Sequence, residues 1–169
     1  MKPAENMRPT TDLVRKSIFD TLRGEVEGRR VLDLFSGTGA MGFEAISSGA
    51  REVVWVESDR RQADGIEKTM TLLGLQESGS VMRSDALEAL GSLGRSGEKF
   101  DLFFIDPPYK TSLGTRALER IASLGIALPG ALLVLETHKT VDPPEAVDGL
   151  KTVKIKKHGD TKLTFYLAR

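Results

Sequence analysis

Short apolar runs alternate with stretches of helical periodicity along most of the chain. Residues 31–35 (Val-Leu-Asp-Leu-Phe), 53–56 and 100–105 are apolar and β-branched enough to predict buried strands. Residues 80–83 predict a weaker strand, and 131–135 a fifth. Between them the spacing changes to that of helices. Residues 39–48 predict a helix packed closely on the first strand. Residues 60–73 place Ala63, Ile66, Met70 and Leu73 on one face. Residues 86–93 carry Leu87, Leu90 and Leu93, and residues 113–124 carry Leu113, Ala117, Ile121 and Leu124 in the same way. Residues 91–97 (Gly-Ser-Leu-Gly-Arg-Ser-Gly) have the composition of a flexible loop. Upstream, Thr11 or Asp12 caps a helix whose stripe is Val14, Ile18 and Leu22, expected on the edge of the sheet before the first strand. Near the end, 152–156 and 163–167 are strand-like, with Gly159-Asp160 as a turn, which predicts a closing antiparallel hairpin.

This alternation predicts an α/β fold, a mostly parallel sheet with helices on both faces, formed by residues 1–169 as a single domain. The length of 169 residues suffices for a core without disulfides. With no cysteine, disulfide frameworks, thiolate zinc sites and cysteine nucleophiles are excluded. Only two histidines occur, His138 and His158, so no metal site is expected. No apolar run reaches membrane-span length and the first residues do not form a signal peptide, so cytoplasmic residence and no membrane partner are expected. Lys+Arg and Asp+Glu balance at 24 each, yet basic residues cluster at Lys151, Lys154, Lys156 and Lys157 and at Arg8, Arg15 and Lys16. Such clusters are either a solvated face or a nucleic-acid contact.

Parallel sheets bind ligands beyond the carboxyl ends of their strands. Phe35 to Gly39, Glu57, Asp85 and Asp106 to Tyr109 each follow a predicted strand. Gly37-Thr38-Gly39-Ala40-Met41-Gly42 matches G-x-G-x-x-G, with Glu57 twenty residues beyond Gly37. The pattern alone suits a dinucleotide, but Asp33 does not, because a carboxylate repels a pyrophosphate. S-adenosylmethionine brings an ammonium and a sulfonium and no pyrophosphate. Asp33 then orients its methionine end, Glu57 accepts from both ribose hydroxyls, Asp85 accepts from the adenine amine and the Ala86 N–H donates to the ring. The alternative role of Asp33 and Asp85 is to cap helices or turns.

Asp106-Pro107-Pro108-Tyr109 follows the apolar run Phe103-Phe104-Ile105. Two prolines stiffen the backbone. The Asp106 carboxylate and the Pro107 carbonyl are two acceptors matched to the two N–H donors of an exocyclic amine on a nucleobase. Gripping both aims the nitrogen lone pair at an activated methyl, and positioning with electrostatics then suffices. Tyr109 offers a ring face to an extruded base. A structural turn with a buried tyrosine is the bland alternative. His138, after the fifth strand, edges this cleft as a surface residue, and Glu136 is either a supporting acceptor or strand-end solvation.

With these motifs in place the sequence resembles the class I S-adenosylmethionine-dependent methyltransferases that methylate amino groups. Within them, Arg8-Pro9-Thr10-Thr11-Asp12-Leu13-Val14-Arg15-Lys16-Ser17-Ile18-Phe19 resembles the R-P-T-x-D-x-V-R-E-x-x-F opening of the bacterial RsmD family. Asp33 through Gly39, Glu57-Ser58-Asp59, Asp106 through Tyr109 and Gly159-Asp160-Thr161 match the same family from Arg8 to the C-terminus. The resemblance implies a Rossmann-like, seven-stranded sheet with an antiparallel C-terminal hairpin. It implies methylation of N2 of a guanine in 16S ribosomal RNA, guanine 966 in the usual rRNA numbering, by a monomer acting on free RNA or on a small-subunit assembly particle. Asp106, Pro107, Pro108 and Tyr109 are the implied catalytic residues. Thr10, Thr11, Asp33, Phe35, Ser36, Gly37, Gly39, Glu57, Ser58, Asp85, Ala86 and Asp106 are the implied S-adenosyl-L-methionine contacts, with S-adenosyl-L-homocysteine as product. Two departures stand out. Only seven residues precede Arg8, where the family carries a basic β-hairpin, and Lys16 replaces an acidic residue. The first bears on RNA docking and not on the chemistry. Competing readings are a nucleotide-dependent oxidoreductase, a non-catalytic RNA-binding module and a DNA adenine-N6 methyltransferase.

Overall fold

The computed structural model describes residues 11–109 and 111–169. Arg8 and Thr10 therefore lie outside the described residues, while Thr11 lies within them. The elements in chain order are α1 (Asp12–Thr21), β1 (Arg30–Leu34), α2 (Ala40–Ser47), β2 (Glu52–Glu57), α3 (Arg60–Leu72), β3 (Gly79–Arg83), α4 (Ala86–Arg95), β4 (Phe100–Ile105), α5 (Leu113–Leu124), β5 (Ala127–His138), β6 (Ala146–Val147), β7 (Leu150–His158) and β8 (Thr161–Ala168). All eight strands form one sheet in the order β3-β2-β1-β4-β5-β8-β7-β6. The first five are parallel, and β8, β7 and β6 each pair antiparallel to their neighbours. Among the described residues the sheet thus has one strand more than the seven expected: β6 has two residues, too short for any periodicity to show.

Two apolar layers cover the sheet. On one face Leu32, Leu34, Phe103 and Ile105 meet Leu90 of α4 and Leu118 and Ile121 of α5. On the other, Val31, Val53, Trp55 and Phe104 meet Val14 and Ile18 of α1, Met41 and Ala45 of α2 and Ile66 and Met70 of α3. The alternation within each strand sends successive residues to opposite layers, as pleating requires.

Two expectations need correcting. Helix α1 lies over the sheet face and not at its edge. Its Phe19 ring sits 5.5 Å from the ring of Phe104 on the central strand β4, and its stripe shares a layer with Val134, Leu163 and Phe165. Periodicity reveals an apolar face but not the surface that covers it. Residues 91–97 are not a flexible loop, since α4 continues to Arg95. A Cβ on Gly94 would come within 2.9 Å of Leu124, and one on Gly91 within 2.8 Å of Arg120. These glycines let α4 approach α5 closely, which outweighs their poor helix propensity.

Strand order reverses on either side of β1, so the crevice lies beyond the carboxyl ends of β1 and β4. Leu34 pairs with Ile105 and Ile105 with Leu135, bringing the segments after β1, β4 and β5 side by side. Because β8 runs antiparallel to β5, with His138 opposite Thr161, the β7–β8 turn closes over the same end.

Candidate active site

The loop after β1 is shaped by its backbone. Phe35 holds a φ of 64°, a left-handed conformation rare for a residue with a Cβ, and Gly37 and Gly39 follow at 57° and 83°. The Ser36 hydroxyl donates to the Asp33 carbonyl at 2.6 Å, the Ser36 N–H to the Val56 carbonyl at 2.9 Å, and the Gly39 N–H to the Ser36 carbonyl at 2.8 Å. Gly42, the third glycine of the pattern, serves packing: a Cβ there would stand 2.2 Å from the Trp55 indole nitrogen. The indole N–H in turn donates to the Gly39 carbonyl at 3.1 Å.

Asp33 is 2% exposed, and its Oδ2 accepts from the Gly42 N–H at 3.1 Å. Burial pushes its carboxyl well above the usual carboxylate range. The Gly42 bond opposes that, and the nearby charges of Asp106 and Glu57 add to it. Three carboxylates from the ends of three strands therefore share one field. Glu57 Oε2 accepts from the Gly37 N–H at 2.7 Å and Oε1 from the Asp59 N–H at 2.9 Å. Each oxygen retains a second lone pair for a ligand hydroxyl. Ser58 is exposed in the same turn.

Asp85 caps α4, its Oδ1 accepting from Leu87 N–H at 2.9 Å and Glu88 N–H at 3.1 Å, so the capping role is realised at this position. Ala86 opens that helix, where N–H groups lack intrahelical acceptors. Thr11 caps α1, accepting from the Val14 N–H at 3.3 Å. Arg15 is paired with Asp12 at 2.5 Å.

Asp106, Pro107, Pro108 and Tyr109 leave β4 and line one wall of a small cleft, with Glu136, Thr137 and His138 opposite. Pro107 is buried and Pro108 exposed. Tyr109 is fixed from two sides: its hydroxyl donates to the Asp160 carbonyl at 3.0 Å, and its ring meets that of His138 edge-on at 4.8 Å. Lys139 closes this corner with an ion pair to Asp160 at 2.9 Å. His138 and Asp160 are supports that sequence reasoning did not assign to Tyr109, although the Gly159-Asp160 turn signal was visible. A larger groove, about 350 Å³, lies near the opposite strand ends beside Thr21, Glu25, Val153 and Lys154. None of the candidate site residues lines it. Among the described residues no group of acidic or histidine side chains is arranged to hold a metal ion.

The family model described as Conserved hypothetical protein 95 matches residues 1–167. YlbH of Bacillus subtilis (strain 168) is 32% identical over 96% of this chain and 88% of its own. Ribosomal RNA small subunit methyltransferase D of Haemophilus influenzae is 32% identical, covering 80% of this chain and 70% of its own. Among solved structures, a conserved hypothetical protein of Streptococcus pyogenes superimposes with a TM-score of 0.83 at 32% identity, covering 92% of this chain and 96% of that one.

Proposed function

The chain belongs to this family, the RsmD family of methyltransferases, and on that premise we propose that it transfers a methyl group from S-adenosyl-L-methionine to the exocyclic N2 of a guanine in small-subunit ribosomal RNA, at position 966. The observation that carries this reading is the juxtaposition of the Asp106–Tyr109 corner with the carboxylate-lined loop after β1.

The residues fit a cationic ligand. Burial, with the charges of Asp106 and Glu57, raises the cost of ionising Asp33, and a positive charge placed among the three carboxylates relieves it. A pyrophosphate at the same loop adds repulsion, which counts against the oxidoreductase reading. When bound, S-adenosyl-L-methionine supplies an electrophilic methyl group on a sulfonium leaving group. Asp33 and the loop of Phe35, Ser36, Gly37 and Gly39 hold the methionine end, and Thr11 approaches its carboxylate. Glu57, beside Ser58, accepts from the ribose hydroxyls. The second oxygen of Asp85 accepts from the adenine amine, and the Ala86 N–H donates to its ring.

The Asp106 carboxylate and the Pro107 carbonyl accept the two N–H groups of the target amine, which localises the nitrogen lone pair and aims it. Pro107 and Pro108 keep this acceptor pair from relaxing, and Tyr109 stacks on the base. Proximity and fixed dipoles supply the acceleration, with no strong base required before transfer.

The test is to map modified guanines in ribosomal RNA from cells lacking the gene, and to restore the mark with wild-type protein and with Asp106→Ala. A small-subunit guanine-N2 methyl group lost without the gene, regained with wild type and not with Asp106→Ala, supports the reading. An unchanged modification map overturns it.

A further inference from the structure

We propose that strand β7 is the track on which the RNA phosphate backbone docks, leading the target toward Tyr109; this rests on the RNA methyltransferase reading above. Lys151, Lys154, Lys156 and Lys157 fall within seven consecutive residues of a chain that is neutral overall. None of the four forms an ion pair among the described residues, whereas Lys139 and Lys162, close by, are paired with Asp160 and Asp142. Only Lys157 feels a nearby carboxylate, that of Asp142, so Lys151, Lys154 and Lys156 form a row of positive charge without an ion-pair partner among the described residues.

Its placement argues for a ligand. Lys151, Lys154 and Lys156 pair with Leu167, Phe165 and Leu163, and of these Leu163 and Phe165 belong to the layer under α1. The three lysines therefore share that side of the sheet, and Lys157, one residue on, takes the other. His158, on the same side as Lys156, lies 2.7 Å from the Ser17 hydroxyl of α1. The strand then turns through Gly159 and Asp160, and Asp160 is the residue whose carbonyl anchors Tyr109. From Lys151 to His158 the row spans about 23 Å, at about 3.3 Å per residue. A polyanion laid along it is delivered to the acceptor corner. Strand β6 pairs with Leu150 and Lys151, and the Thr152 N–H donates to the Glu145 carbonyl at 2.8 Å, while beyond Thr152 no strand among the described residues covers the outer edge of β7.

Lysines on an open edge also discourage strand pairing between copies, and the experiment separates the two roles. Full-length wild type, Lys154→Gln/Lys156→Gln, the same pair changed to Arg, and Lys68→Gln on α3 are compared. Each is measured for methyl transfer to small subunits isolated from cells lacking the gene, and for binding to a small-subunit rRNA transcript across a salt series. The proposal expects the double Gln variant to raise KM at least about tenfold with kcat held, and to flatten the salt dependence by about one unit of slope per lysine. It expects the Arg pair to behave as wild type, Lys68→Gln to change nothing, and cofactor affinity by calorimetry to stay constant.

Equal KM and equal slope for wild type and the double Gln variant, or the same loss from Lys68→Gln, overturn the docking track while leaving the methyltransferase reading intact. If the double variant aggregates, Lys154→Gln and Lys156→Gln are measured singly, each expected to lower the slope by about one. A wild-type protein that neither binds nor methylates the RNA overturns both readings.

Discussion

The Tyr109 hydroxyl donates to the main-chain carbonyl of Asp160, 51 residues further along the chain, at 3.0 Å. The bond ties the acceptor corner after β4 to the C-terminal hairpin. Tyr109→Phe keeps the ring and loses the anchor, so kcat/KM is expected to fall about two- to tenfold, the worth of one neutral hydrogen bond. Tyr109→Ala removes the stacking surface as well and is expected to cost about 5- to 150-fold. Methyl-transfer kinetics on small subunits check both, and equal losses in the two variants count against a stacking role.

Asp106 leaves the end of β4 half-buried, with its charge felt at Asp33. Asp106→Ala is expected to lower kcat about 100- to 1,000-fold, as loss of a fixed group facing developing charge does elsewhere. Its melting temperature is expected to stay close to wild type. Loss of activity accompanied by a collapsed melting transition would instead assign the residue to the fold.

The buried Asp33 carries a pH dependence of determinate sign. Its folded carboxyl holds a proton more tightly than in the unfolded chain, where the ordinary value is 3.8. The stability this contributes is complete below that value and is lost as pH rises through the higher folded one. Asp33→Asn removes the cost of ionisation and is expected to melt higher near neutral pH, by about 2–4 °C for each kcal/mol relieved. The same variant is expected to bind S-adenosyl-L-methionine about tenfold more weakly, since a charge-assisted contact is lost. Binding to wild type is expected to release protons, because a cation favours the ionised form. Calorimetry in buffers of different ionisation enthalpy reads that release, and zero release would place the cation away from Asp33.

Gly42 has no room for a methyl group against Trp55. Gly42→Ala is expected to cost about 1–3 kcal/mol of stability through overpacking, read by denaturant unfolding, and to weaken cofactor binding because the Asp33 partner shifts with it.

What could be read from the chain follows from how local each signal is. Strands β1, β2 and β4 are continuous apolar runs, and the residues after them fell where parallel topology requires. The Asp85 cap and the Asp33 position were visible as single residues at strand ends. Helix α1 was visible as a stripe, but its docking on Phe104, Val134 and Phe165 depends on pairings made far along the chain. Gly91 and Gly94 give the composition of a loop, because composition does not reveal that Arg120 and Leu124 leave no room for a Cβ there. The bracing of Tyr109 by His138 and Asp160 joins the segment after β4, the end of β5 and the β7–β8 turn, and has no local signature. Strand β6 is too short to have one.

The chain contains one tryptophan. That indole, Trp55, is 0% exposed and hydrogen-bonded to the Gly39 carbonyl of the glycine loop. Its emission therefore comes from a single dry environment one bond away from where the methyl donor is proposed to sit. Titrating the donor into unlabelled protein should report loop occupancy as a change in intensity or wavelength, with no dye attached and no background from a second fluorophore of the same kind.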